Sequence, residues 1–153
     1  NCLKEFSDIS LQEIYIDNMA QQLVVNPEQF NGSVLLSTNL FMDIVSELAS
    51  GIVGSIGLIY SANIGDSYAM FEAAHGSAPS FKGQNKVNPT ATILAGAWMA
   101  EYLGESHIMD AIFSATEHVI NEGKTITFDI GGNATTTQMS DAISSIAKEK
   151  LRK

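Results

Sequence analysis

The segment from Glu72 to Ala91, followed directly by an apolar run, constrains the fold of this chain more than any other feature. Its glycines and prolines, which interrupt both helices and strands, are Gly76, Pro79, Gly83 and Pro89. A loop of this length within a domain is more often a binding loop than a connector. Residues 91–100 predict a buried helix, capped near 88–90, whose first turn would offer N–H groups and a positive dipole. The loop and the helix together predict a site for an anionic nucleotide; the alternative is a structural loop.

Composition narrows the class of protein. The chain has 153 residues, 45% of them hydrophobic, which is enough for one ordinary domain with a real core. Its 8 Lys and Arg against 17 Asp and Glu give a charge of -9, which argues against a nucleic-acid or anionic-membrane surface. With the single Cys2, no leader and no bilayer-length apolar run, we expect a cytoplasmic protein, or one of the mitochondrial matrix if eukaryotic. Because the chain starts at Asn1 without a Met, we also expect it to be a piece of something larger.

Hydrophobic periodicity and breaker residues predict helices alternating with short apolar strands. The predicted helices cover residues 9–24, 40–50, 91–103, 106–122 and 137–150. The predicted strands cover residues 34–36, 58–60, 68–71 and 125–128, with a loop at 61–67. This order favours a layered α/β domain.

Three carboxylates on the first two predicted helices are candidate metal ligands. Asp43 and Glu47 lie four residues apart on one helix face, with no basic residue placed to pair with them. Oxygen-only ligands select Mg²⁺ or Mn²⁺, whereas the alternative interpretation is a solvated acidic face. Asp17 interrupts the apolar run of the first helix, so it either meets a cation or hydrogen-bond donors, or points to solvent.

Several ordered segments resemble the C-terminal half of the isocitrate and isopropylmalate dehydrogenase family, which are metal-dependent oxidative decarboxylases. The similar segments are residues 15–19 with 22–24, 39–47, 54–57, 61–65 and 75–89. Residues 128–134 also resemble the closing segment of NAD-type isocitrate dehydrogenases. The resemblance implies the layered α/β fold of that family. Residues 1–53 would then end the small domain for dimerisation and metal binding, and residues 54–153 would be the C-terminal part of the large, dinucleotide-binding domain.

The resemblance also implies roles for individual residues. Asp43 matches the first metal carboxylate, Glu47 stands where a second Asp is usual, and Asp17 matches the carboxylate contributed by the neighbouring subunit. We therefore expect a homodimer with shared active sites, in which the helices at 9–24 and 40–51 form the intersubunit bundle. The cofactor residues implied in the same way are His75, Gly76, Ser77, Ala78 and Pro79 for adenosine, Asn88 for adenine, Ser80 and Phe81 for cofactor choice, and Asn1, Ile56 and Glu72 near the nicotinamide.

The implied chemistry is oxidative decarboxylation of isocitrate to 2-oxoglutarate, a step of the tricarboxylic acid cycle. Mg²⁺ or Mn²⁺ would chelate the 2-hydroxyl and adjacent carboxylate of this hydroxy-acid substrate while hydride leaves for the nicotinamide. The family's catalytic Lys and Tyr and its substrate-clamping Arg residues find no match in this chain, so we expect them upstream of Asn1. The alternatives are 3-isopropylmalate dehydrogenase and a non-catalytic homologue that binds a nucleotide or a partner.

Two departures from the family pattern bear on the site. Glu47 is one methylene longer than the usual ligand, which predicts a displaced or weakly bound metal. The pair Ser80-Phe81 is neither the acidic type that accepts the ribose hydroxyls of NAD nor the Lys-Tyr type that binds the phosphate of NADP. Without a cation at Ser80 we expect NAD, while Lys82 and Lys86 leave NADP as the alternative.

Overall fold

The computed structural model describes residue 6 and residues 8–152, which fall into two compact units. The first unit spans Asn1–Ile52 and the second Val53–Lys153. The helices are α1 (Ile16–Val25), α2 (Asn39–Val53), α3 (Thr90–Tyr102), α4 (Ser106–Glu122) and α5 (Thr136–Leu151), and the strands are β1 (Tyr60–Ile64) and β2 (Ala69–Ala73). The α/β fold class predicted from the sequence is confirmed.

The first unit is organised by α1 and α2, which share a small core. Met19 and Leu23 of α1 and Val45 of α2 are buried together, because apolar residues recur at helical spacing on the facing sides of the two helices. The half-buried side chains around them are Ile14, Ile16, Phe30, Met42 and Leu48. Three buried residues make a modest core for two helices.

Two predictions for the first unit are wrong. The first helix begins at Ile16 instead of residue 9, and Tyr15, the residue before it, makes no side-chain capping bond. Residues 34–36 are not a strand, and Val34 and Leu36 are 93% and 94% exposed. A strand needs a partner for its backbone groups, and none pairs with this segment within the described residues.

In the second unit a β-hairpin packs on α3 through aromatic rings. Strands β1 and β2 pair antiparallel with Ala62 opposite Phe71. Trp98 of α3 meets Tyr60 of β1 and Phe71 of β2 edge to face, each with ring centroids 5.8 Å apart. Such pairs add to the free energy of area burial, so they fasten this two-stranded sheet to the helix.

The main core of the second unit lies between α4 and α5. Its buried residues are Ala115, Val119, Met139, Ile143 and Ala147. Helix α4 ends where Gly123 adopts a left-handed conformation, with φ +70°. Helix α5 begins with a capping box in which Thr135 and Gln138 exchange hydrogen bonds. The second unit therefore has defined helix ends as well as a core.

The strands of the second unit differ from the sequence prediction. Residues 56–58 form a 3₁₀ helix. Strand β1 follows and includes Ser61–Ile64, where a loop was predicted, and β2 continues to Ala73, beyond its predicted end at residue 71. Residues 125–128 are not a strand. The carbonyls of Ile126 and Thr127 instead accept the N–H groups of Ala134 and Gly132, both at 2.9 Å. The segment satisfies its backbone groups with the turn that follows it, so it needs no neighbouring strand.

Candidate functional site

The predicted cofactor loop leaves β2 and runs exposed over the second unit. Residues Gly76–Ser80 are exposed, and Pro79–Phe81 form one short 3₁₀ turn. Ala78 adopts a left-handed backbone with φ +41°, which is uncommon for a residue with a side chain. The ring nitrogen Nδ1 of His75 lies 2.9 Å from the carbonyl oxygen of Gly76. The tip of the loop thus has a defined, strained backbone that is open to solvent.

The second half of the loop is fastened to the start of α5. Asn85 also has a left-handed backbone, with φ +51°. Its Oδ1 accepts hydrogen bonds from the main-chain N–H of Thr137 at 3.1 Å and from the Thr137 hydroxyl at 3.0 Å. The N–H of Thr136 donates to the carbonyl of Asn85 at 3.0 Å, and the Thr136 hydroxyl donates to the carbonyl of Val87 at 2.5 Å. These four bonds fix the path of the chain toward Asn88.

The end of the loop is held by a carboxylate from the segment of residues 128–134. Asn88 is buried, and its Nδ2 donates to Oδ2 of Asp129 at 3.0 Å. The Ser55 hydroxyl donates to the same oxygen at 2.5 Å. Burial alone would raise the pKa of Asp129, but hydrogen bonds, first of all the one from Ser55, outweigh that effect and hold the pKa below its ordinary value. Asp129 is therefore ionised at neutral pH.

The amino end of α3 is capped by a side chain of the predicted segment 88–90, and this cap occupies one of the N–H groups that were expected to be free. Oδ1 of Asn88 accepts the N–H of Thr90 at 3.0 Å, which is the capping role assigned to residues 88–90. Thr90 and Ala91 are both buried, with exposures of 1% and 0%. The N–H of Thr90 is therefore not available to a phosphate unless the Asn88 side chain moves, and the expectation of a free N–H at Thr90 is wrong.

One of the two residues expected to determine cofactor choice, Phe81, packs against a second aromatic ring that is in contact with a lysine. The rings of Phe81 and Phe128 lie 5.5 Å apart, and Nζ of Lys86 sits 4.6 Å from the centroid of the Phe128 ring. This is the range of a cation–π contact. Ser80 is exposed, and its carbonyl accepts a hydrogen bond from Nε2 of Gln84 at 2.6 Å. The ammonium group of Lys86 is thus already engaged with the aromatic rings.

The residues expected near the nicotinamide are only partly placed. Ile56 is half-buried at the start of its 3₁₀ helix, and Glu72 is exposed on β2, where it accepts a hydrogen bond from Nδ2 of Asn63 at 3.2 Å. Asn1 lies outside the described residues. The roles proposed for these three residues stay predictions.

The candidate metal ligands are exposed carboxylates of the first unit. Asp43 and Glu47 lie one turn apart on α2, and neither forms an ion pair with another described residue. Asp17 is in the first turn of α1, where its Oδ1 accepts the N–H of Asn18 at 2.8 Å. The part of the chain that the structure describes holds no group of three His, Cys, Asp or Glu side chains able to bind a metal ion. The donor set fits Mg²⁺ or Mn²⁺ chemically, while its assembly across two subunits stays a prediction.

The fold and the ordered motifs agree with one family of dehydrogenases. The chain belongs to the isocitrate/isopropylmalate dehydrogenase family, whose sequence pattern matches residues 1–143. A crystal structure of isocitrate dehydrogenase from Methylococcus capsulatus superimposes with a TM-score of 0.89 at 41% identity, covering 95% of this chain and 43% of that one.

The curated relatives span several activities. The isocitrate/homoisocitrate dehydrogenase of Thermus thermophilus is 46% identical over 140 residues, which are 92% of this chain and 41% of that protein. A mitochondrial regulatory subunit of the NAD isocitrate dehydrogenase of Dictyostelium discoideum is 41% identical over 149 residues, 97% of this chain and 42% of that protein. Names of further relatives specify NAD, NADP or 3-isopropylmalate. The chain thus spans about two fifths of the length of these relatives, and the family does not fix one substrate or cofactor.

Sequence reasoning missed the residues that hold the loop in place. Ser55 and Asp129 lay inside segments recognised as similar to the family, and Asn85 lay inside the loop itself, but none was given a role. Their partners are 74, 41 and 52 positions away in the chain, so spacing along the sequence carries no signal for these bonds. One indication of such a role was present in the sequence: Asp129 is a charged residue directly after a predicted apolar strand, and a charged side chain there needs hydrogen-bond donors.

Proposed function

We propose that this chain supplies the cofactor loop and the metal carboxylates of an enzyme that oxidatively decarboxylates isocitrate to 2-oxoglutarate with NAD and Mg²⁺ or Mn²⁺. The rest of the active site would come from an N-terminal half, since this chain covers only 41% of the length of the Thermus relative. We propose the cytoplasm or the mitochondrial matrix as the place of the reaction; the name of the Dictyostelium relative describes that protein as mitochondrial. Among the described residues, no helix is both long and apolar enough to span a membrane.

The observation that carries this proposal is an exposed loop whose two halves are built differently. Its tip, Gly76–Ser80, is open, while its second half is fixed by Asn85 and Asn88 through hydrogen bonds to α5 and to Asp129. A loop held in one conformation before binding loses less entropy when it takes up a ligand. This arrangement supports a role in holding the adenosine part of a dinucleotide.

The metal would be held by Asp43 and Glu47 with Asp17 of a second copy. When bound, Mg²⁺ or Mn²⁺ polarises the hydroxyl oxygen and stabilises the negative charge that remains when CO₂ leaves. The two carboxylates of α2 repel each other and have no neighbouring cation among the described residues, so a divalent ion would relieve their repulsion. The longer side chain of Glu47 would weaken or displace that ion relative to a site with two Asp.

The contacts around Ser80 and Lys86 support NAD as the cofactor. Ser80 brings no positive charge for a 2′-phosphate, and the ammonium group of Lys86 is engaged over Phe128. Using Lys86 for a phosphate would cost that cation–π contact. Lys82 is exposed and forms no ion pair with another described residue. Its ammonium group could meet a 2′-phosphate, so NADP is the alternative.

A homodimer with shared active sites is part of the proposal. Side chains of the first unit that are large, apolar and exposed include Val24, Val25, Leu36, Leu40 and Ile44. Four of these five side chains lie on α1 and α2, and an exposed apolar patch on such helices would mark an interaction surface. A second copy of α1 and α2 would bury it and bring Asp17 to the partner's Asp43.

The test is turnover by the native gene product, purified without proteolysis, with isocitrate and then 3-isopropylmalate, and with NAD and then NADP. Substituting Asp43→Asn should reduce metal-dependent turnover at least a hundredfold and raise the Mg²⁺ concentration needed for half-maximal rate. Asp66→Asn, an exposed carboxylate between β1 and β2, is the control and should leave both unchanged. Full activity with the original Mg²⁺ dependence in Asp43→Asn would contradict the metal assignment.

A non-catalytic role is the second candidate, because one relative of 41% identity has a name that describes it as regulatory. Glu47 in place of the usual Asp also supports it. In that case the native protein would bind AMP or NAD by calorimetry but show no turnover with either hydroxy acid. Turnover by the purified native protein, lost in Asp43→Asn, would exclude it.

A further inference from the structure

One carboxylate oxygen connects three segments of the second unit. Oδ2 of Asp129, in the 3₁₀ turn Phe128–Ile130, accepts from Ser55, which lies 74 positions earlier, and from Asn88, which lies 41 positions earlier. Ser55 caps the 3₁₀ helix that starts at Ile56, and Asn88 closes the cofactor loop. Hydrogen bonds to a charged acceptor are the stronger kind, so this oxygen is the main polar link among the three segments.

Both polar atoms of the Asn88 side chain form a hydrogen bond in this arrangement. Its Nδ2 donates to Asp129, its Oδ1 accepts the N–H of Thr90, and the residue is only 6% exposed. The amide therefore has one orientation, with nitrogen toward the carboxylate and oxygen toward α3. A ligand at this position would meet the main chain of Asn88, and the side chain would serve to set where that main chain lies.

Close packing leaves Asn88 little freedom to move. A Cβ added at Gly57 would lie 2.8 Å from Cβ of Asn88 and 3.3 Å from Oδ2 of Asp129. The N–H of Gly57 donates to the Ser55 hydroxyl at 3.0 Å. The backbone of the 3₁₀ helix thus lies directly against Asn88, and the polar chain from Gly57 through Ser55 and Asp129 to Asn88 is continuous.

We propose that Asp129 is a positioning residue for the cofactor: by accepting from Ser55 and Asn88 together, it holds the end of the cofactor loop in the conformation that binds the adenosine half of the dinucleotide. This inference rests on the proposed function. Asp129 acts through Asn88 and does not itself touch the reacting atoms, so its removal should weaken cofactor binding much more than it slows the chemical step.

The experiment measures steady-state kinetics of the native gene product and of Asp129→Ala, with AMP binding by calorimetry alongside. We expect the KM for NAD and the Kd for AMP to rise at least tenfold, with kcat at saturating NAD and the KM for the hydroxy acid within threefold of wild type. A merely structural role would lower the amount of active protein, and so kcat, without moving the KM for NAD. Nicotinamide mononucleotide, which lacks the adenosine, should bind equally to both proteins.

Asp129→Asn tests the mechanism, because its single carbonyl oxygen can still accept from both Ser55 and Asn88. It should recover the KM for NAD to within threefold of wild type. Asp110→Ala, an exposed carboxylate on α4, is the matched control and should change nothing. If Asp129→Ala does not fold, Ser55→Ala removes one of the two donors and should raise the KM for NAD at least threefold.

The outcomes separate this inference from the proposed function. A wild-type protein that binds neither NAD nor AMP would overturn both. A wild-type protein that turns over with NAD, together with an unchanged KM for NAD in Asp129→Ala or in folded Ser55→Ala, would overturn the positioning role alone.

Discussion

The two units of this chain differ in how much of their apolar surface they bury and in how their candidate site residues are held. The second unit buries a five-residue core between α4 and α5, fastens its hairpin with aromatic pairs and holds its loop with side-chain hydrogen bonds. Among the described residues of the first unit, the buried apolar side chains are Met19, Leu23 and Val45, and many large apolar side chains are exposed. The cofactor loop therefore lies on a unit with its own internal support, whereas the candidate metal carboxylates lie on helices with large, exposed apolar side chains among the described residues. The loop is thus supported by contacts within its own unit, whereas the proposed metal site would need a second copy of the chain.

The largest effect should come from the core of the second unit. Met139→Ala removes a fully buried side chain and should lower the free energy of unfolding by about 2–5 kcal/mol. Val45→Ala in the first unit removes two carbons and should cost about 1.5 kcal/mol, from about 0.8 kcal/mol per buried CH₂. Urea denaturation followed by circular dichroism measures both.

Met99→Ala is the control, because this side chain of α3 is 47% exposed. It should change stability by less than about 0.5 kcal/mol. Equal losses for Met139→Ala and Val45→Ala would remove the contrast between the two units.

An intermediate effect should come from the exposed apolar surface of the first unit. Ile44→Lys places a charge on a side chain that is 53% exposed on α2. If a second copy covers this surface, the dimer dissociation constant should rise at least tenfold, which is about 1.4 kcal/mol. Analytical ultracentrifugation of the native protein measures it.

Ser145→Lys adds the same charge at an exposed position of α5 and should leave the dimer intact. A monomeric wild type, or an equal response to both substitutions, would show that the first unit needs no second copy at this surface.

The smallest effect should be the acid dependence contributed by Asp129. Its pKa is lowered in the folded state, so its contribution to stability is present above the unfolded pKa of about 4 and is lost as the pH falls through the lower folded pKa. Asp129→Asn should therefore flatten the loss of stability below pH about 4, measured by urea denaturation at a series of pH values. An acid profile that is identical in wild type and in this variant would contradict the lowered pKa.

The helices of the second unit were well predicted from the sequence, whereas the start of α1 and the strands were not. Helices α3, α4 and α5 matched their predicted bounds to within a residue or so, because their periodicity and capping signals are local. Residues 34–36 and 125–128 are apolar and β-branched enough to suggest strands, but pairing depends on a distant partner that composition does not reveal. The loop was located correctly from its glycines and prolines, while Asp129 and Asn85, which hold it, depend on contacts far apart in the sequence.

The aromatic packing of the hairpin also gives the molecule a built-in optical probe. Trp98 is the single tryptophan of the chain, and its ring lies between Tyr60 of one strand and Phe71 of the other. Its indole emission therefore reports the docking of the hairpin on α3. In one unlabelled sample, tryptophan fluorescence can thus follow unfolding of the second unit, while circular dichroism follows the helices of both units.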